Sequence, residues 1–264
     1  YGCRTGAQDA LADGGGYECR APTITRWELG VAGGEQRTDL SAKDWSEQVV
    51  AKLPMIAEPG AAWNYSQGLD VLGGVIEAIT GQTLGEAIQA RVSGPLGMTD
   101  TAFFQPASKS SRFAQSKKDD PLYYDYTDAH PFMSGGGGLS STPEDYLRFV
   151  LMLANGGTYQ GVQILKPETL KLMLVDQTTP EVRGKGLFFP GAGMGFGLGM
   201  SLVIDDTKTK TTGNGTFSWN GIAGTEWWYD PKNDVFMVFM IQNRELAMEY
   251  QRKNRTWIYD ALKK

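Results

Sequence analysis

The sequence predicts a mixed α/β fold of the α+β type, in which an antiparallel sheet is flanked by helices and accompanied by a helical lobe. Three observations support this prediction. Apolar residues recur at helical spacing in the first half of the chain. Short aromatic and β-branched segments, separated by turn residues, follow Pro190. An amphipathic segment from about Arg244 to Leu262 then predicts a closing helix.

These patterns divide the 264 residues into three regions. Residues 1–50 are predicted to be an irregular N-terminal segment or insertion, because the chain is polar and glycine-rich there up to Arg37. Residues 51–190 are predicted to form a mainly helical lobe. Residues 191–264 are predicted to form the antiparallel strands and the C-terminal helix of an α/β lobe.

The helical lobe carries clear start and stop signals. Apolar residues at helical spacing run from Leu69 to Ile79, and Gly81 ends the pattern. Thr83 and Glu86 have the spacing of a capping box at the start of a second helix. Thr142 is the expected N-cap of a third helix, since a proline follows it at the first helical position.

The second half of the chain predicts consecutive antiparallel strands. The turn between the last two is expected at "DPKND", from Asp230 to Asp234. The strand segments are "GFGLGMSLVI", "TFSWNGIAG", "TEWWYDP" and "DVFMVFMIQN".

Composition limits the possible functions. The formal net charge of −5 gives no basic patch for nucleic acid. No apolar run approaches the ~20 residues that span a bilayer, so no membrane span is predicted. One histidine and two cysteines outside any CxxC spacing argue against a metal site. Cys3 and Cys19 could form a disulfide or remain free thiols, which leaves the compartment, periplasmic or secreted or cytoplasmic, open.

Several catalytic schemes lack their residues in this chain. No G-x-S-x-G elbow and no Walker loop occur, and the single histidine, His130, precedes a proline in a predicted loop. A serine can instead be activated by a lysine and a tyrosine acting together. A phenol has an ordinary pKa of about 10, and a neighbouring ammonium lowers it. This chemistry requires no cofactor.

Four segments, in order, resemble the serine β-lactamase-like hydrolases, which include class C β-lactamases, penicillin-binding DD-peptidases and family VIII carboxylesterases. The resemblance extends from about Ala51 to the end of the chain, and it implies a β-lactamase/transpeptidase-like fold. The segments are "PGAAWNYSQGLDVLGGVIEAITGQTLGEAI", "PLGMTDTAF", "SGGGGLSSTPEDYLRF" and "GTFSWNGIAGTEWWYDPKNDVFMVFMIQ".

The resemblance implies roles for particular residues. Tyr65 matches the general base of the family's Tyr-x-Asn motif, and Gln67 replaces the motif's asparagine with a longer amide. Without the other motifs, a tyrosine before an amphipathic helix would be interpreted as a packing residue.

The strand motif of the family is also matched. Trp219, Asn220 and Gly221 stand where the family has Lys/His-Thr-Gly, and the backbone N–H of Ile222 would complete the oxyanion hole. A tryptophan at 219 removes a cation that would bind a lactam or peptide carboxylate. The resemblance is therefore strongest to the esterase branch, and Trp219, Asn220 and Gln67 are the expected substrate contacts.

One part of the family pattern is absent. No serine in this sequence is followed three residues later by lysine, and the family's first strands are missing as well. We expect the Ser-x-x-Lys segment to be supplied by another segment or chain of the same protein. The alternative is a pseudoenzyme, or a fold rebuilt without that half.

The predicted function is a serine hydrolase that forms an acyl-enzyme, acting as a carboxylesterase or acyltransferase on small esters. A β-lactamase or D-peptidase acting on a lactam, and a catalytically inactive binding domain, are the alternatives.

Overall fold

The computed structural model describes residues 39–55, 57–118, 120, 123, 125–185, 188, 190–209 and 213–262. Cys3 and Cys19 lie outside the described residues. The helices in this part of the chain are α1 (Ala42–Gln48), α2 (Gly68–Thr80), α3 (Leu84–Ile88), α4 (Pro143–Ala154), α5 (Pro167–Met173), α6 (Pro180–Gly184), α7 (Asp206–Thr209) and α8 (Arg244–Leu262), with shorter helical turns at Val50–Lys52, Gln89–Ser93 and Ala107–Arg112. The strands are β1 (Thr158–Tyr159), β2 (Val162–Gln163), β3 (Met194–Phe196), β4 (Ser201–Val203), β5 (Phe217–Asn220), β6 (Glu226–Asp230) and β7 (Val235–Phe239).

Strands β3 to β7 form one antiparallel sheet in chain order, as the segments after Pro190 predict. The β6–β7 hairpin turns at the predicted "DPKND" segment, where Asp234 has a φ of 50°. The Asp230 carboxylate accepts the Lys232 N–H at 2.9 Å, which is the usual way in which an aspartate stabilises a turn.

The sheet lies between two helices because successive side chains of a strand point to opposite faces. Trp227 of β6 contacts the rings of Tyr146 and Phe149 on α4. Its neighbour Trp228 is fully buried on the other face and stacks on Tyr259 of α8, with ring centroids 5.7 Å apart. The core therefore continues from α4 through the sheet to α8.

The helix signals in the sequence are confirmed. Helix α2 ends at Gly81, which has the left-handed φ of 68° typical of a helix C-cap. Thr83 and Glu86 form the predicted capping box of α3. Thr142 caps α4 by accepting the N–H of Asp145 at 3.2 Å.

The structure corrects the prediction that residues 1–50 are irregular, because α1 lies within that range. Ser41 caps this helix, and Trp45 packs edge-on against Phe132 at 5.3 Å. The Glu77 carboxylate also accepts the backbone N–H of Lys43 at the start of α1. Phe132 and Glu77 are remote in sequence, so local composition could not reveal these contacts of the helix. The division into three regions remains a prediction.

A small hairpin, β1–β2, interrupts the predicted helical lobe. Its two-residue turn consists of Gln160 and Gly161, with φ values of 47° and 82°. Two positive φ values match the twist of a tight hairpin, and glycine adopts such a φ without strain.

One face of α2 carries apolar residues that remain exposed in the described part of the chain. The apolar pattern therefore predicts the helix correctly, although these residues are not buried against another described element. They are Leu69, Leu72, Val75 and Ile79.

No helix among the described residues has the length and apolar character needed to cross a membrane.

Candidate active site

Tyr65 lies on the segment that leads into α2, and its side chain is 62% exposed. Next to it, the Ser66 hydroxyl donates a 2.6 Å hydrogen bond to the Gln67 side chain. Gln67 itself is the N-cap residue of α2 and is half-buried. Tyr65 is therefore largely exposed just before a helix whose position is fixed by other contacts.

The start of α2 is fixed by the glycine-rich loop of residues 134–138. Asp70 is 4% exposed and accepts hydrogen bonds from the Ser134 hydroxyl and from the Gly136 N–H. A Cβ on Gly135 would lie only 2.0 Å from the Leu69 carbonyl oxygen. The glycines thus permit a close backbone approach, and Asp70 secures this loop in addition to its favourable position at a helix N-terminus.

Strand β5 brings the second motif to the same place. Trp219 contacts the Tyr65 ring, with centroids 5.7 Å apart. Gly221 and Ile222 follow the strand directly, in the turn that leads to β6. The Ile222 side chain is 66% exposed. No described residue accepts a hydrogen bond from its backbone N–H.

Five aromatic side chains form a cluster that we call the aromatic wall. Trp63 stacks on Tyr65 at 5.9 Å and meets the edges of Phe188 and Phe196 at 5.3 and 5.7 Å. Phe196 of β3 in turn contacts Trp219 at 5.3 Å. Among the described residues, the wall therefore gives Tyr65 aromatic neighbours on two sides. Its members are Trp63, Tyr65, Phe188, Phe196 and Trp219.

Asp176 holds the β3 part of this wall. Its carboxylate accepts the Phe196 N–H at 3.0 Å and pairs with Arg183. Burial alone would raise the pKa of Asp176. The hydrogen bonds from Thr178 and Phe196, with the charge of Arg183, outweigh burial and hold the pKa below its ordinary 3.8. A lowered pKa in the folded state means that the ionised carboxylate stabilises the fold.

We expect Asp176→Asn to lower the free energy of unfolding by about 1–2 kcal/mol at pH 7. Because the folded pKa lies below the unfolded one, the native stabilisation is complete above about pH 4 and is lost as the pH falls through the folded pKa. Urea unfolding of both proteins should therefore give a difference that shrinks as the pH falls below about 4. A difference that does not change with pH would contradict this interpretation.

Helix α8 binds the opposite face of the sheet through three side chains spaced four residues apart. Gln251 contacts Asn220, Gly221 and Thr225, around the β5–β6 turn. Further along α8, Arg255 donates to Glu226 and Ser218, and Tyr259 donates to Asp230. We call this set, Gln251, Arg255 and Tyr259, the α8 ladder.

The α8 ladder and the side chains that it binds on the sheet include ionisable groups with raised pKa values. Burial raises the pKa of Glu226 although the charge of Arg255 opposes it. Burial, with the hydrogen bond to Asp230, also raises the pKa of Tyr259. No group of His, Cys, Asp and Glu side chains in the described part of the chain is arranged to hold a metal ion.

The structure thus brings some of the predicted site residues together and separates others. Tyr65 and Trp219 are in contact, and Gly221 and Ile222 lie at the end of the same strand. The Asn220 side chain points to the other face, where its amide donates to Gln251 at 3.0 Å. This separation follows from the alternation of side chains along β5.

Sequence reasoning missed Trp63, Phe196 and Gln251. Trp63 lies two residues before Tyr65. In an extended segment, side chains two residues apart point to the same side, so this spacing could have indicated Trp63. Phe196 and Gln251 reach the site only through long-range packing, and nothing in their local sequence indicates it.

An antiparallel sheet between helices, with a tyrosine at a helix start beside a sheet strand, defines the β-lactamase class of fold. The model of the Beta-lactamase family matches residues 27–261, and the chain belongs to this family.

Relatives of this chain include esterases. It is 40% identical over 208 residues to Protein Rv1367c of Mycobacterium tuberculosis, a match that covers 74% of this chain and 52% of the relative. It is 32% identical to Esterase EstB of Burkholderia gladioli, with 76% and 55% covered. The chain thus spans about half the length of these curated relatives.

Solved structures share the fold. The chain superposes on EstCE1, described as a hydrolase with promiscuous acyltransferase activity, with a TM-score of 0.71 and 25% identity, covering 89% of this chain and 65% of the other. The simvastatin synthase LovD of Aspergillus terreus gives a TM-score of 0.64 at 22% identity, with 94% and 71% covered. The β-lactamase-like fold predicted from the sequence is confirmed.

Proposed function

We propose that the protein is a serine hydrolase that forms an acyl-enzyme and acts as a carboxylesterase or acyltransferase on small esters. The observation that carries this proposal is the contact between Tyr65 and Trp219. Tyr65 is largely exposed, and the strand that it contacts leads to the Ile222 N–H, for which the described residues supply no acceptor. A base and an oxyanion donor are two of the groups that acyl transfer requires.

The nucleophile in this proposal is the serine of a Ser-x-x-Lys segment outside the 264 residues. Tyr65, assisted by the lysine, takes the hydroxyl proton as the serine oxygen attacks the ester carbonyl. The Ile222 N–H and the serine N–H stabilise the oxyanion. Collapse expels the alcohol, which takes the proton. Water or a second alcohol then attacks the acyl-enzyme, and Tyr65 removes its proton in turn. The bond to the serine oxygen breaks, the acid or new ester leaves, and Tyr65 returns the proton to the serine.

The aromatic wall supports neutral esters as substrates. A cation at the end of β5 would attract the carboxylate of a lactam or peptide, whereas Trp219 offers an apolar surface flanked by Phe196. Apolar and aromatic lining suits small neutral ligands oriented by a few polar groups. The resemblance to proteins named Esterase EstB and Lovastatin esterase favours the same substrate class. Gln67 stands beside Tyr65, where its amide can contact the substrate.

The experiment tests the full-length protein with an ester substrate, a lactam substrate and a probe that labels reactive serines. We expect hydrolysis of p-nitrophenyl butyrate, labelling by a fluorophosphonate, and little or no hydrolysis of nitrocefin. Nitrocefin turnover faster than ester turnover would instead support a β-lactamase. A protein that neither reacts with the fluorophosphonate nor turns over either substrate would be a catalytically inactive binding domain.

A further inference from the structure

A glutamine of α8 holds both ends of the β5–β6 turn. The Gln251 Nε2 donates to the Gly221 carbonyl at 3.1 Å and to the Thr225 carbonyl at 3.3 Å. Its Oε1 accepts the Asn220 amide at 3.0 Å. One half-buried side chain therefore uses its donors and its acceptor on three residues of a single turn.

The turn is closed by its own backbone as well. The Gly221 N–H donates to the Thr225 carbonyl at 2.8 Å, and the Gly224 N–H donates to the Gly221 carbonyl at 3.1 Å. The Ala223 carbonyl accepts the Asn243 N–H at 2.8 Å, just before α8. These bonds occupy the Gly221 and Gly224 N–H groups. The proposed mechanism uses the Ile222 N–H, which lies between them in the turn.

The Gly221 carbonyl and the Ile222 N–H belong to the same peptide unit. No cis peptide bond occurs in the described chain, so this planar unit points its C=O and its N–H in opposite directions. Gln251 binds the carbonyl from the α8 side. The Gly224 N–H binds the same carbonyl within the turn. The N–H at the other end of the unit is consequently directed away from both of these donors, and no described residue accepts it.

We propose that Gln251 is a positioning residue for the oxyanion donor. It fixes the orientation of the Gly221–Ile222 peptide through the carbonyl, at the end opposite the N–H that would bind the oxyanion. A hydrogen bond to the carbonyl also polarises the peptide and strengthens its N–H as a donor. The inference rests on the proposed serine-hydrolase function, because it assigns the Ile222 N–H to the oxyanion.

The test uses two variants of the full-length protein with p-nitrophenyl butyrate. Gln251→Met keeps the length of the side chain and removes its hydrogen bonds. We expect kcat per fluorophosphonate-titrated site to fall about tenfold or more, since small displacements at a reacting centre are costly. KM should stay within about threefold, because the oxyanion contact strengthens only in the transition state. The matched control is Gln82→Met, a half-buried glutamine that accepts one hydrogen bond, from Arg91.

Gln251→Glu gives a second readout that a purely structural role would not produce. The ionised glutamate repels the Gly221 and Thr225 carbonyls, whereas the protonated acid can again donate one hydrogen bond. The kcat of Gln251→Glu relative to the parent should therefore rise as the pH falls from 8 to 5, while the relative kcat of Gln251→Met stays constant.

The outcomes are distinct. A labelled, active parent together with Gln251→Met at a kcat within twofold per titrated site would overturn the positioning role and leave the proposed function standing. Loss of titratable sites or of thermal stability with unchanged kcat per site would have the same meaning, because it shows a structural role only. A parent that no fluorophosphonate labels would overturn the proposed function and this inference with it.

Discussion

Replacing Tyr65 by phenylalanine is expected to lower the kcat of p-nitrophenyl butyrate hydrolysis by about a hundredfold or more. The variant keeps the ring that contacts Trp63 and Trp219, so the aromatic wall should persist. Only the phenolic oxygen, the proposed proton acceptor, is lost. Steady-state kinetics on the full-length protein measure the effect. Far-UV circular dichroism checks that the variant is folded like the parent.

The matched control is Tyr159→Phe on the β1–β2 hairpin. It removes a phenolic oxygen that accepts a hydrogen bond from the Gln160 side chain, outside the aromatic wall. We expect this variant to retain the parent kcat within about twofold, because surface changes of this kind alter little. If Tyr65→Phe also stayed within a few-fold of the parent, Tyr65 would not be the general base.

Local signals predicted most of the fold because they act over only a few residues. Gly81 ends α2, and the Thr83–Glu86 capping box begins α3, through contacts within one helical turn. The strands after Pro190 likewise follow from short runs and turn residues. Helix α1 depends more on distant residues, because Phe132 packs against its Trp45 and the Glu77 carboxylate accepts its Lys43 N–H.

The site was predicted only in part, for a related reason. Motifs located Tyr65 and the end of β5, but motifs do not show which face of a strand a side chain occupies. Asn220 illustrates this, since one residue of register places its amide on α8 instead of beside Trp219. The contact of Gln251 with the β5–β6 turn depends on how α8 packs on the sheet, which local sequence does not determine.

Asp70 also shows what local sequence does not indicate. A carboxylate in the first turn of a helix ordinarily has a modest surface effect. In the structure Asp70 is buried and binds the glycine-rich loop through Ser134 and Gly136. The loop that the family resemblance singled out therefore supports the start of the helix that follows Tyr65.

Replacing Ile222 by proline is expected to lower kcat by about 10²–10³-fold, which is the usual cost of removing one oxyanion donor. Proline removes the N–H. Ile222 has a negative φ, as proline requires, and the preceding residue is Gly221, which tolerates the restriction that proline imposes on it. The lost side chain is largely exposed, so its own contribution to stability is small.

Ile222→Ala distinguishes the effect of the N–H from that of the side chain, because alanine keeps the backbone N–H and shortens the side chain. We expect its kcat to lie within about threefold of the parent, and both variants to be labelled completely by a fluorophosphonate on long incubation. The rate of labelling should fall only in Ile222→Pro, since phosphonylation also develops charge on an oxygen that this N–H would stabilise. If proline and alanine lowered kcat equally, the side chain rather than the N–H would be responsible, and the oxyanion donor would have to be sought elsewhere.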